Sequence, residues 1–285
     1  MLNGKVALVT GTTSWDLGSM IALALAKNGA DIALNLSPAD PNRAEILKPR
    51  LSELCQTICD MGQEATLSTT QTIDSDAVKT MVTEISSKYR SVDILVNNGG
   101  YGLTISDIAK TPLIKSDRLK IGRREMLSAI NCIAECLPLM IDNRWGRVIN
   151  IGFSSILDFM RRSHELVQIT GGKFLEEIHN EVNFPRPHLF SGLAQVLFSH
   201  ERIIDQRRQN ITINSVGLGD NDGEHWEDVY DTLDGFQKAL TIREDTLKQS
   251  YGEHCAPQDI AEAVLFLCSE RARFITDAEI RFSSE

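Results

Sequence analysis

The chain's proton-transfer chemistry must come from four tyrosines, six histidines, six cysteines and the carboxylates around them. A phenol moves a proton near neutral pH when a nearby cation lowers its pKa, and a lysine one helical turn later is a compact source of that charge. Tyr89, Tyr101, Tyr230 and Tyr251 are followed four residues on by Asp93, Ile105, Asp234 and Cys255. No Tyr-x-x-x-Lys pair exists in any register. Cys55/Cys59 and Cys132/Cys136 share helical i,i+4 spacing, but no histidine stands at ligand spacing, so these read as reduced, buried thiols. His164 and His179, near Asp158 and Glu165, form no His-x-x-x-His pattern, and no metal is expected.

The elements that must position such groups alternate in type. Val6–Val9, Ile32–Asn35, Ala65–Thr69, Val92–Val96, Arg147–Ile151, Ile211–Val216 and Glu279–Phe282 read as strands, with helical patterns between them, the first over about Gly18–Asn28. Strand–helix alternation requires crossovers, hence a doubly wound α/β fold with a parallel sheet of about seven strands. No repeat or low-complexity linker divides the 285 residues, so one domain is expected. Two segments interrupt the pattern: an insertion at about 156–187 and an acidic, aromatic-bearing stretch at about 220–251 that reads as a lid or as a solvated insert. Both follow carboxyl ends of strands, where ligands bind in such sheets.

Composition narrows the partners. Net charge is −10, which disfavours nucleic acid and anionic membranes. No apolar run reaches the ~18 residues of a membrane span. Met1 to Lys5 lead directly into a strand without a signal peptide, so a cytoplasmic location is expected.

Four stretches together resemble the short-chain dehydrogenase/reductase family: Val9-Thr10-Gly11 through Gly18; Asp93-Ile94-Leu95-Val96-Asn97-Asn98-Gly99-Gly100; Gly146-Arg147-Val148-Ile149-Asn150-Ile151; and Pro257 through Leu267. Their order and spacing fit nearly the whole chain. The resemblance implies a Rossmann-like sheet with a nicotinamide nucleotide across the strand ends, and Gly11, Ser14, Trp15, Gly18, Ser37, Gln71, Asn98 and Gly99 as the residues around it. The nucleotide loop departs from the family's pattern. It is one residue longer, it lacks the middle glycine, and Trp15-Asp16 stand near that place. Where NAD-selective members carry an acidic residue after the second strand, this chain has Leu36, so NADP(H) is the expected cofactor if nucleotide binding is retained; Arg43 lies within reach of a 2′-phosphate. Gln71 replaces the adenine-contacting aspartate, and its amide can still bond a base.

The catalytic positions depart further. Matched on Gly146-Arg147 and Ile213-Asn214, the family's asparagine falls on Glu125, its serine on Phe153, its tyrosine on His188 and its lysine on Gly192. Ser154 adjoins the lost serine, and Tyr101 follows the Asn-Asn-Gly-Gly stretch. Imidazole and carboxylate both transfer protons near neutral pH, so His188 is the first catalytic candidate and Glu125 the second, with Ser154 and Tyr101 behind them. Three readings follow for a small-molecule substrate: a redox-neutral enzyme (cyclisation, isomerisation, elimination or pericyclic closure) in an inherited pocket; an NADPH-dependent reductase with a replacement proton donor; and a non-catalytic subunit or ligand sensor. The family's usual assembly implies a homodimer or homotetramer through helices at about Arg123–Asn143 and His188–Arg207, with Leu127, Ile130, Ala134 and Leu137 on the first.

Overall fold

A strand covered on both faces must be apolar on both faces, and Val6-Ala7-Leu8-Val9 meets that demand: every one of these residues is buried. The computed structural model describes residues 1–12, 17–36, 41–98, 115–153, 210–218 and 257–282; at 41–43, 115–126, 152, 153 and 218 it describes the backbone. The elements are β1 (Val6–Val9), α1 (Leu17–Lys27), β2 (Asp31–Asn35), α2 (Pro41–Asp60), β3 (Ala65–Ser68), α3 (Ser75–Tyr89), β4 (Ile94–Asn98), α4 (Lys115–Asn143), β5 (Gly146–Phe153), β6 (Ile211–Leu218), α5 (Pro257–Cys268), a 3-10 turn (Glu270–Ala272) and β7 (Glu279–Arg281). The strands form one parallel seven-stranded sheet in the order β3-β2-β1-β4-β5-β6-β7, the doubly wound arrangement expected from the strand–helix alternation.

Each face of the sheet has its own core. Ala7, Val9, Ile32, Leu34, Ile149 and Val216 look toward α1, α2 and α5, where Ile21, Leu25, Leu51, Ile260 and Val264 meet them. Leu8, Ala33, Leu95, Val148 and Ile213 look toward α3 and α4, where Val78, Met81, Ile85, Ile133 and Met140 close the opposite face. The spacing of Val78, Met81, Val82 and Ile85 is the helical stripe that makes this packing continuous. Asp74 starts α3 by accepting from the Asp76 and Ala77 amides at 3.0 and 3.1 Å, and Arg90 ends it in the left-handed region at φ 70°.

Several boundaries differ from the sequence expectation. β4 begins two residues late and runs through Asn98, because pairing with β5 continues there; just before it the Asp93 carboxylate accepts the Val6 amide at 3.0 Å and pairs with Lys5 at 3.6 Å. Strands β5 and β6 run on to Phe153 and Leu218 by pairing with each other. α4 begins at Lys115 rather than Arg123. The stripe expected to face a second subunit is divided: Leu137 is buried and Ile130 packs beside it, while Leu127 and Ala134 are exposed. The thiols divide too. Cys132, Cys136 and Cys268 are buried and Cys55 is half-buried against the core, but Cys59, one residue before the end of α2, is exposed. Burial pushes the Cys132 and Cys268 thiols up to about 12. Among the described residues no cluster of three or more histidine, cysteine or carboxylate side chains could hold a metal, and no helix is long and apolar enough to cross a membrane. The insertion at 156–187, the segment at 220–251, the second interface helix at 188–207, and Cys255 lie outside the described residues.

The amino ends of the strands are tied by a polar network. Arg147 is fully buried and donates to Gly146 O at 2.7 Å, Asn210 O at 2.8 Å and Asn210 Oδ1 at 3.1 Å. Its guanidinium lies 4.3 Å from the Trp145 ring centroid, the Lys5 ammonium lies 3.9 Å from the same ring, and the Trp145 indole N–H donates to Glu270 Oε1 at 2.6 Å. Desolvation holds the Arg147 guanidinium below its usual pKa, against the favourable charge of Glu270.

Candidate functional site

The strand order changes direction between β1 and β4: the chain leaves β1 toward β2 on one side and reaches β5 from β4 on the other. A crevice opens between carboxyl ends at such a point. There the chain leaves β1 through Thr10, Gly11 and Thr12. Thr10 N donates to Val96 O at 3.0 Å, Thr12 N to Asn35 O at 3.1 Å, and Thr12 Oγ1 to Val9 O at 3.2 Å. Gly11 sits at φ 64°, in the left-handed region, where a side chain would cost energy. From β4, Asn98 Nδ2 donates to Gly11 O at 3.3 Å and ties the two strand ends together. α1 begins at Leu17 with Gly18 buried in its first turn, so this helix aims the positive end of its dipole at the same crevice.

At the far side of β1, Leu36 is fully buried in the core and donates its amide to Ser68 O at 2.9 Å, so the first residue after β2 is apolar rather than acidic. Gln71 is half-buried in the turn after β3 and accepts the Asp74 amide on its backbone carbonyl at 3.0 Å. The next residue, Thr72, is clamped from α4: Ser128 Oγ donates to Thr72 Oγ1 at 2.6 Å, and Asn131 Nδ2 to Thr72 O at 3.0 Å. Glu125 lies on α4 one turn before Ser128. Between β4 and β5, Asn97 Nδ2 donates to Asn150 Oδ1 at 2.9 Å in the buried interior.

Gly11, Gly18 and Asn98, three of the residues expected around a nucleotide, are thus brought to one end of the sheet, with Gln71 in the β3–α3 turn on the same edge. Ser14, Trp15, Ser37, Gly99, Tyr101, Ser154 and His188 lie outside the described residues, as do the side chains of Arg43 and Glu125. Thr72, Ser128, Asn131 and the Asn97–Asn150 pair were not singled out from the sequence. Asn97 and Asn150 stand in the sequence only as members of the family-like stretches, and Thr72, Ser128 and Asn131 leave no trace beyond a polar residue.

A parallel sheet wound in this order, with a glycine turn and a helix start at its switch point, defines a dinucleotide-type α/β fold. The family model for short chain dehydrogenases matches residues 5–165, and the chain belongs to that family. It is 27% identical over 282 residues to an uncharacterised oxidoreductase of Thermotoga maritima, covering 97% of this chain and 93% of that one. It is 27% identical over 286 residues to a 3-oxoacyl-acyl-carrier-protein reductase of Staphylococcus epidermidis, covering 97% and 96%, and 24% identical over 283 residues to the L-fucose dehydrogenase of Bos taurus, covering 97% and 87%. Among solved structures, a mutant short-chain dehydrogenase/reductase of Serratia marcescens superposes with a TM-score of 0.64 at 25% identity, covering 99% of this chain and 97% of that one.

Proposed function

We propose that the chain is an NADP(H)-dependent oxidoreductase that acts on a small molecule with a proton donor other than tyrosine. One observation carries this reading: Gly11 keeps its left-handed turn, with its carbonyl tied to Asn98, beside the start of α1. That cradle fits a pyrophosphate, since a Cβ there would be strained and the dipole favours an anion. The names of the relatives, reductases and dehydrogenases, support hydride chemistry over the redox-neutral reading.

Bound, a nicotinamide supplies or accepts the hydride. The rest falls to the protein. Gly11 and the amino end of α1 bind the phosphates, and Asn98 holds that turn in place. Leu36 presents no carboxylate to the ribose, which favours the 2′-phosphate form. Gln71, held by the α4 clamp on Thr72, bonds the base. His188 carries the proton, with Glu125 to orient the imidazole and Ser154 or Tyr101 to bond the substrate oxygen. The protein acts in the cytoplasm as a homodimer or homotetramer. A second reading, the redox-neutral enzyme, has one observation in its favour: no Tyr-x-x-x-Lys pair exists in the sequence.

Fluorescence titration with NADPH and NADH, followed by consumption assays over a panel of ketones, separates the two. Tighter NADPH than NADH, with turnover that falls roughly 10²- to 10⁴-fold in His188→Ala at unchanged melting temperature, is the expected outcome. Equal or tighter NADH overturns the preference. Binding without consumption, alongside conversion of a co-purified small molecule, moves the assignment to the redox-neutral reading.

A further inference from the structure

Four neighbouring strands turn from apolar to polar at one rung of the sheet. Val9 gives way to Thr10, Leu34 to Asn35, Val96 to Asn97 and Ile149 to Asn150. The pairings Val9↔Leu34, Val9↔Val96 and Asn97↔Asn150 set these four side by side across β2, β1, β4 and β5. Alternation sends their side chains to the α3/α4 face, above Ala33, Leu8, Leu95 and Val148. Exposure is 0% for Asn35, 3% for Thr10, 2% for Asn97 and 1% for Asn150.

Among the described residues, the protein's own groups satisfy this rung only in part: Thr10 Oγ1 donates to Val96 O at 3.4 Å. Asn35 Nδ2 donates to Thr70 O at 3.1 Å and Asn97 Nδ2 to Asn150 Oδ1 at 2.9 Å. Asn35 Oδ1, Asn97 Oδ1 and Asn150 Nδ2 are buried without a partner. Turning over both amides of the Asn97–Asn150 pair exchanges the roles and again leaves one donor and one acceptor. Orphaned buried amides are destabilising, and what answers a spare donor beside spare acceptors is a molecule that does both. In protein interiors that molecule is water.

We propose that this rung is a built water site: water held by Asn97 and Asn150, with Thr10 and Asn35 beside it, fixes the carboxyl ends of β1 and β4 against the middle of β5. The four are positioning residues. They lie one residue before Gly11, Leu36, Asn98 and Ile151, so the water sets the relation in which Asn98 reaches Gly11. The effect on nucleotide affinity rests on the dinucleotide reading above; the water site does not.

In a crystal of the wild-type chain that shows ordered solvent, water should stand within about 3.2 Å of both amide side chains. A dry pair overturns the proposal without any variant. Water-oxygen relaxation dispersion should also lose long-lived water in Asn97→Leu/Asn150→Leu. That double variant should melt at or above the single Asn97→Leu, which strands Asn150, and should bind NADPH roughly three- to tenfold more weakly than wild type. Wild-type affinity in a folded double variant refutes the positioning role. A wild type that holds the water and binds no dinucleotide sinks the dinucleotide reading and supports this one.

Discussion

Removing Glu270 should cost stability and leave nucleotide affinity alone, because this carboxylate works at the amino ends of the strands, away from the crevice. Its Oε1 accepts the Trp145 indole N–H at 2.6 Å and lies 3.6 Å from Arg147 Nη2. The glutamate side chain is 59% exposed while that of Arg147 is fully buried, so the attraction must be taken near its water limit, about 1 kcal/mol at this separation. Glu270→Gln keeps an acceptor for the indole and removes the charge; the expected loss is about 1 kcal/mol. Glu270→Ala also strands the indole N–H and adds a lost hydrogen bond, for about 2–3 kcal/mol together. The guanidinium keeps its bonds to Gly146 and Asn210, which is why the larger cost of an unpaired buried charge is not expected. At roughly 2–4 °C per kcal/mol for a domain of this size, the melting temperature should fall by about 2–4 °C for glutamine and about 4–12 °C for alanine. Thermal scans followed by circular dichroism measure this, and the glutamine effect should shrink in 1 M salt. An alanine variant that melts within a degree of wild type would show that the network contributes nothing. A normal melt with weakened NADPH binding would show that the two ends of the sheet are coupled.

Other variants and conditions report on the rest of the chain. Among the thiols of the described residues, Cys59 should react first with a disulfide reagent at neutral pH, and Cys132, Cys136 and Cys268 only on unfolding; early labelling of Cys132, followed by mass spectrometry, would contradict their burial. Burial raises the folded pKa of Cys132 and Cys268 from about 9 to about 12, so the folded state holds protons that the unfolded state releases. Their stability contribution is therefore intact below pH 9 and is lost as pH rises toward 12, by up to about 1.4 kcal/mol per pH unit for each thiol, which denaturant midpoints across that window should show. Asp74→Ala removes the acceptor of two amides at the start of α3 and should cost about 1 kcal/mol in urea unfolding. Leu127→Glu on the exposed face of α4 should shift light-scattering mass toward the monomer if that face pairs subunits, and an unchanged oligomer would exclude it.

The parallel sheet was legible because burial on both faces demands apolar runs, and these runs are separated by helical patterns. Its edges were not. Val92 is apolar and buried, yet paired strand begins only at Ile94; Asp93 just before it is tied to β1 and β5 by its backbone and to Val6 by its carboxylate as well. Asn97 and Asn98 look like the end of a strand and are inside one, because β5 continues to pair with them. α2 leaves only a faint pattern, since Pro49 interrupts it and polar residues outnumber apolar ones along its length. Hydrophobic periodicity reports what the core requires; it is silent where hydrogen bonds between distant segments set the limits.

The same distinction separates the two halves of the site. The half proposed to bind phosphate depends on backbone shape, and shape leaves a mark in sequence: only glycine sits easily at the φ of Gly11, and Gly18 is buried where α1 starts. The clamp of Ser128 and Asn131 on Thr72 leaves none, since it joins residues 56 and 59 positions apart through side chains that are ordinary anywhere. The proposed catalytic half depends on side-chain identity, and its candidates His188, Ser154 and Tyr101 lie outside the described residues, as does the side chain of Glu125. The left-handed turn that glycine holds easily is present at Gly11, and so is a rung of buried amides one residue before it. Both lie beside the strand ends that the proposed dinucleotide would span: the turn lets backbone approach closely, and the rung, through its proposed water, holds the strand bearing Asn98 in register with Gly11.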